Sequence, residues 1–159
     1  MKFKLIIGVL LFTLNLCASS YYVAPSGGSD SNTGSINSPW ATWQKAFDTA
    51  QAGDTVYFRG GIWHPTDYTD NGNTVVIHAP RAIAGIYEGT IHGFSGTAGN
   101  PVCFFNYPGE VPILDCSMVD TVGHRFNTGL GFVLSQYIHV KGLTVRNVYQ
   151  PYSGELACG

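Results

Sequence analysis

The sequence predicts an all-β chain wound as the first coils of a parallel β-helix, with one α-helix capping its N-terminal end. Three observations predict it. The composition is poor in charge and rich in turn formers. One stretch has a convincing helical period. The other apolar residues fall in short strand-like runs that follow one another without reversing turns.

The length of 159 residues suits one domain. The chain is 45% hydrophobic and 11% charged, where soluble domains carry roughly a quarter charged residues. Twenty glycines and eight prolines accompany a 13% aromatic content. That profile suits strands joined by tight turns, and the strong helix formers Glu, Lys and Arg are scarce.

The chain starts with a leader. Lys2 and Lys4 precede an apolar run from Leu5 to Leu14, and small residues follow by Ser19. This is the pattern of a secretory signal peptide over residues 1–19, too short to span a membrane. Cleavage is expected after Ala18 or Ser19. A lipoprotein reading would acylate Cys17, but Leu16 is not the small residue a lipobox needs. Losing Lys2 and Lys4 from eight basic residues leaves six against ten acidic ones, a net charge of −4. Nucleic-acid binding needs a basic face, which this chain lacks. Cys103, Cys116 and Cys158 remain. One pair can bridge in an oxidising compartment, or all three can be small buried side chains.

Tyr21 to Ala24 reads as a short strand. The loop from Pro25 to Ser35 has Asp30, Asn32 and Gly34 in alternation, which suits Asx-turns or a cation loop. The helix follows in "SPWATWQKAFDTAQAG". Pro39 or Thr42 is its start. Trp43, Ala46, Phe47 and Ala50 fall at i, i+3, i+4 and i+7, giving one apolar face. Gly53 stands where a left-handed C′ residue is expected.

Strand-like runs then start at Thr55, Thr74, Pro101, Val111, Gly131, Tyr137 and Leu143. Within "SQYIHVKGLTVRNV" only Gly142 offers a bend, and no Asn-Gly turn reverses the chain. Short strands joined by bends describe coils of a parallel β-helix. The first coil of such a stack exposes its interior and unpaired backbone groups, so something must cover it. The helix is the natural cover. Val56 and Phe58 are expected to face inward, with Gly60 and Gly61 at the first corner.

Three stretches carry a family resemblance. "YYVAPSGGSDSNTGSINSPWATWQKAFDTAQAGDTVYFRGGIW" resembles the N-terminal cap of secreted bacterial right-handed β-helix polysaccharide lyases. "SGTAGNPVCFFNYPGEVPILDCS" and "YIHVKGLTVRNV" resemble the coils that follow. The family is pectate lyase family nine, with its rhamnogalacturonan-cleaving members. The resemblance implies a right-handed coil, a secreted or periplasmic or cell-surface location, and an acidic polysaccharide as partner. It also implies Ca²⁺-assisted β-elimination, with aspartates holding the ion and a lysine removing the proton beside the carboxylate. No positions of this sequence match that catalytic motif, so catalytic and metal residues remain unassigned. They are expected beyond Gly159.

The remaining candidates come from the residues themselves. Lys141 is the one lysine besides Lys45 after the leader. It can be an elimination base or a solvated strand residue, and alternation points it outward. His64, His78, His92, His124 and His139 do not fall at metal-ligand spacing. "DYTDNGNT" places Asp67, Thr69, Asn71 and Gly72 in partial calcium-loop order, but His78 stands where a bidentate Glu belongs. Asp115 and Asp120 can be imagined as a hydrolase pair. Arg59, Arg81, Arg125 and Arg146 are the cations best suited to an anionic sugar. Two functions fit: the front of a secreted lyase, or a non-enzymatic β-helix module that binds glycans or supports a surface protein.

Overall fold

The computed structural model describes residues 18–65, 96–118, 129–130 and 135–148. Its strands are β1 (Ser20–Val23), β2 (Thr55–Phe58), β3 (Gly61–Trp63), β4 (Val102–Asn106), β5 (Pro112–Asp115), β6 (Ile138–Lys141) and β7 (Thr144–Arg146). They form two sheets, ordered β1-β2-β4-β6 and β3-β5-β7. Every pairing between these strands is parallel. The chain runs along the first sheet, turns a corner, joins the second, and returns one coil later. This is the parallel β-helix that the bend-joined runs predict.

The corners explain why the strands do not fold back. Gly142 lies between β6 and β7 at φ 70°. A Cβ there would collide with the Asn106 side chain on the neighbouring coil. Gly61 takes φ 132° at the corner between β2 and β3. Both values lie where a side chain is strongly disfavoured.

Register builds the core. Tyr21, Val56, Phe104 and Val140 align across the first sheet. Val56, Phe58, Val102 and Phe104 are essentially fully buried, as strand alternation requires of the inward face. Tyr22 and Tyr57 alternate with them, also in register, and their rings stack at 5.7 Å.

The helix α1 spans Trp43–Thr49. Thr42 is its N-cap, with Oγ1 accepting from Lys45 N at 3.1 Å. The expected apolar face is real: Trp43, Ala46, Phe47 and Ala50 are all buried. Phe47 stacks on Phe104 at 4.1 Å and 12°. Trp43 packs against Phe58 at 4.7 Å and edge-on against Trp63 at 5.5 Å. The helix thus lies on the inward side of β2 and β4 and reaches β3, an edge strand of the second sheet.

One expectation needs correction. Gly53 is at φ 92°, but it is not the C′ residue. The helix stops earlier, at Ala50, whose backbone is extended. The Asp54 carboxylate causes this. It accepts from Gln51 N at 2.8 Å and from Ser19 N at 3.0 Å, drawing the chain back toward β1. Strand β3 follows the expected corner glycines directly and pairs with β5 from Gly61↔Pro112 to Trp63↔Leu114. The run from Thr74 lies outside the described residues.

Candidate functional site

The alternating polar residues of the loop before α1 serve the loop's own backbone. The Asp30 carboxylate accepts from Ala41 N and Thr42 N at 2.9 Å each and from Thr42 Oγ1 at 2.7 Å. Asn32 Nδ2 donates to Pro39 O at 2.9 Å, and Gly34 turns at φ 79°. The loop is therefore the turn that fixes the helix start.

The two described arginines are held by carboxylates from other coils. Arg59 Nε donates to Glu110 Oε2 at 2.9 Å, and its Nη2 to Oε1 at 2.8 Å. Gly60 N donates to the same carboxylate. The guanidinium also lies 4.6 Å from the centre of the Tyr107 ring. Hydrogen bonding to Arg59 holds the Glu110 carboxyl below its usual range, and the same bond raises Arg59. In β7, Arg146 Nε donates to Asp115 Oδ2 at 2.8 Å. Asn147 Nδ2 and Ser117 N donate to Asp115 Oδ1 at 2.9 and 3.0 Å. These donors, Asn147 first, hold the buried Asp115 carboxyl well below its ordinary value.

These pairs clamp one coil to the next. Each arginine spends its Nε and Nη2 edge on the carboxylate and stays part exposed, 36% for Arg59 and 46% for Arg146. Asp115 is equally committed, which removes it from a hydrolase pair. Asp120, Arg81 and Arg125 lie outside the described residues. Lys141 and His139 are exposed on β6, and His64 is exposed after β3. His78, His92, His124 and the Asp67–Thr74 loop also lie outside the described residues.

Cys103 and Cys116 are free thiols. Burial pushes the Cys116 thiol up to about 11, and burial also raises Cys103. Both are protonated at neutral pH, which does not suit nucleophiles; Cys116 is a small buried core residue, whereas Cys103 is half-buried. Cys158 lies outside the described residues.

Among the described residues, no three His, Cys, Asp or Glu side chains gather as a metal site. Asp30, Asp54, Glu110 and Asp115 spend their oxygens on backbone amides, a hydroxyl and arginines. Ca²⁺ needs six to eight oxygens free to converge. The described residues do not fit that ion.

A cavity of about 440 Å³ opens between the start of α1 and the end of β3. Trp43, Gln44, Lys45, Asp48, Trp63 and His64 line it. Sequence reasoning missed it. Trp63 joins the site because it pairs with Leu114, a residue of the next coil, and one sequence does not reveal coil length.

Parallel strands coiling through two sheets, an inward aromatic stack and clamped coil junctions define a parallel β-helix protein. The model of the Pel9A-like right-handed β-helix region matches residues 21–156, and the chain belongs to this family. A 72-residue stretch is 39% identical to pectate lyase PEL9 of Emericella nidulans, covering 45% of this chain and 17% of that protein. A rhamnogalacturonan lyase structure superposes with a TM-score of 0.59 at 27% identity, over 80% of this chain and 28% of the other. Pectate lyase Pel9A superposes at 0.51 with 24% identity, over 79% and 27%; at that identity the likeness concerns the fold. The chain spans less than a third of each of these relatives.

Proposed function

We propose that this chain is the front part of an exported polysaccharide lyase acting on a uronic-acid polymer. One observation carries the reading: the family match runs through nearly all of the chain after the leader. Names of relatives point to the substrate class, pectate for one and rhamnogalacturonan for another. In this reading residues 1–19 direct export and are removed. Helix α1 serves as the N-terminal cap, since Phe47 and Trp43 cover apolar side chains of β2, β3 and β4. The described coils act as a rigid base. Their carboxylates lock coil to coil, and the base and calcium ligands of a β-elimination belong on coils beyond Gly159. Rigid strands are the right support for such a site, because small displacements of a catalytic group cost large factors in rate.

The test compares two proteins on pectate and on rhamnogalacturonan with added Ca²⁺. One is the present chain, and the other continues through its natural downstream coils. Ultraviolet absorbance of unsaturated products is the readout. The longer protein should release them and the present chain should not. Activity in the short chain that vanishes with Lys141→Ala would place the base on β6 instead. An inactive long protein would favour the glycan-binding module.

A further inference from the structure

We propose that the outward face of the first sheet holds a short uronate-bearing oligosaccharide, gripped by Tyr22, Tyr57, Tyr107, Arg59 and Lys141. Alternation turns this face away from the core that Val56 and Phe104 fill. Tyr22, Tyr57, Phe105 and Lys141 follow one another in register on β1, β2, β4 and β6. Three strand spacings separate the first from the last, about 14 Å. A pyranose ring is about as wide as a phenol ring, so the row suits a few linked sugars rather than one.

The tyrosines are held by one another. Tyr22 and Tyr57 stack at 5.7 Å. Tyr107, directly after β4, meets each of them at 6.1 Å. All three are half-buried. Among the described residues their hydroxyls have no hydrogen-bond partner. A phenol hydroxyl both donates and accepts, as a sugar hydroxyl does. Side chains already ordered by packing lose little freedom on binding.

Charge selects the sugar class. The chain after the leader is acidic, but two of the four basic residues described there, Arg59 and Lys141, stand on this face. The Arg59 guanidinium lies 4.6 Å from the centre of the Tyr107 ring. Glu110 takes its Nε and Nη2 edge. A guanidinium has five donors, so Nη1 stays for a second anion, on a side chain that is part exposed. Lys141 is exposed at the end of the tyrosine row. The carboxylates nearby are spent. Glu110 is bound by Arg59 and Gly60 N, and the buried Asp54 by Ser19 N and Gln51 N. A uronate meets a guanidinium edge at one place and an ammonium at another, whereas a neutral sugar leaves both unused. The site rests on the lyase reading for the identity of its polymer, and these residues are the present chain's own hold on it.

The exported chain is titrated without Ca²⁺ with trigalacturonate, with a galactose trisaccharide and with inorganic sulfate. Tyrosine ring NMR signals are followed, assigned by their loss in Tyr22→Phe, Tyr57→Phe and Tyr107→Phe. Trigalacturonate should shift them saturably, with the neutral trisaccharide and sulfate each about tenfold weaker, the scale of one lost charge-assisted contact. Tyr107→Phe keeps the ring and should weaken trigalacturonate by about threefold to tenfold. Lys141→Gln should weaken it by about threefold, as an exposed pair is worth little. Both should keep the parent's denaturation midpoint, and Lys141→Gln carries the test if Tyr107→Phe does not fold. The proposal is overturned if trigalacturonate gives no saturable shift, or if the neutral trisaccharide or sulfate binds as tightly. It is also overturned if a folded Tyr107→Phe or Lys141→Gln binds like the parent. Binding is read without catalysis. Uronate binding here beside an inactive longer protein counts against the lyase reading and keeps the site, and product release by the longer protein without binding here does the reverse.

Discussion

Truncating Phe47 to alanine removes the ring on which the seat of the helix depends. Phe47 is fully buried. It stacks on Phe104 at 4.1 Å and meets Phe58 at 6.3 Å. Phe→Ala in a core costs about 3–5 kcal/mol, combining lost transfer energy with the cavity left behind. The ring pair with Phe104 puts this site toward the upper end, since a stacked pair adds about 0.5–1.5 kcal/mol. A loss of about 4 kcal/mol is a large part of the total stability of a small domain, roughly 5–15 kcal/mol. With a urea slope of about 2 kcal/mol/M, the midpoint should fall by about 2 M. Equilibrium urea denaturation followed by tryptophan fluorescence measures it. Asn37→Ser, exposed in the loop before the helix, serves as the control and should stay within about 0.5 kcal/mol. A Phe47→Ala midpoint equal to that of the control would refute the helix as part of the core.

Other outcomes follow from the same contacts. Asp30→Ala should cost about 1–2 kcal/mol by freeing the Ala41 and Thr42 amides, and with Thr42→Ala the losses should not add, because the two side chains share one cap; a double-mutant cycle in urea checks this. Stability should fall as the pH drops below about 4, the ordinary carboxylate range. Glu110 and Asp115 have folded-state values below their unfolded ones, so their contribution is complete above the unfolded range and is lost as the pH falls through the folded values. Midpoints measured across acid pH should show this slope, and Asp115→Asn should flatten it. Intact-mass analysis of the exported product should show a chain starting near Ser19 or Ser20, whereas a chain starting at Met1 or at a lipid-modified Cys17 would contradict the leader.

How far the sequence could be read depended on the range of each interaction. The helix was legible because its signal is local: Trp43, Ala46, Phe47 and Ala50 repeat at the helical period, and all four are buried. Strands β2, β4, β5, β6 and β7 lie within runs rich in β-branched and aromatic residues. Strand β3 was hidden because three residues starting with glycine carry no pattern of their own. Its signal is the alignment of Ile62 with Ile113 on the next coil, and coil lengths are unequal. The same limit governed the site. Arg59 and Arg146 looked unpaired because their partners, Glu110 and Asp115, stand 51 and 31 residues away. The early end of the helix goes with a local bond that the helical period does not show, from Gln51 N to the Asp54 carboxylate.

The central claim is that successive runs stack in parallel, one coil upon the next, rather than as hairpins. Thr55 of β2 and Cys103 of β4 are direct partners in the parallel register. Paired positions on adjacent strands fall within the Cα separation that a disulfide spans, about 4.4–6.8 Å. Oxidation of a Thr55→Cys variant, followed by peptide mapping, tests that pairing directly. The account predicts a bond between the introduced thiol and Cys103, formed in the folded protein with the denaturation midpoint retained or raised. Free thiols after oxidation of the folded chain, or a bond that forms only in denaturant, would contradict the parallel stack.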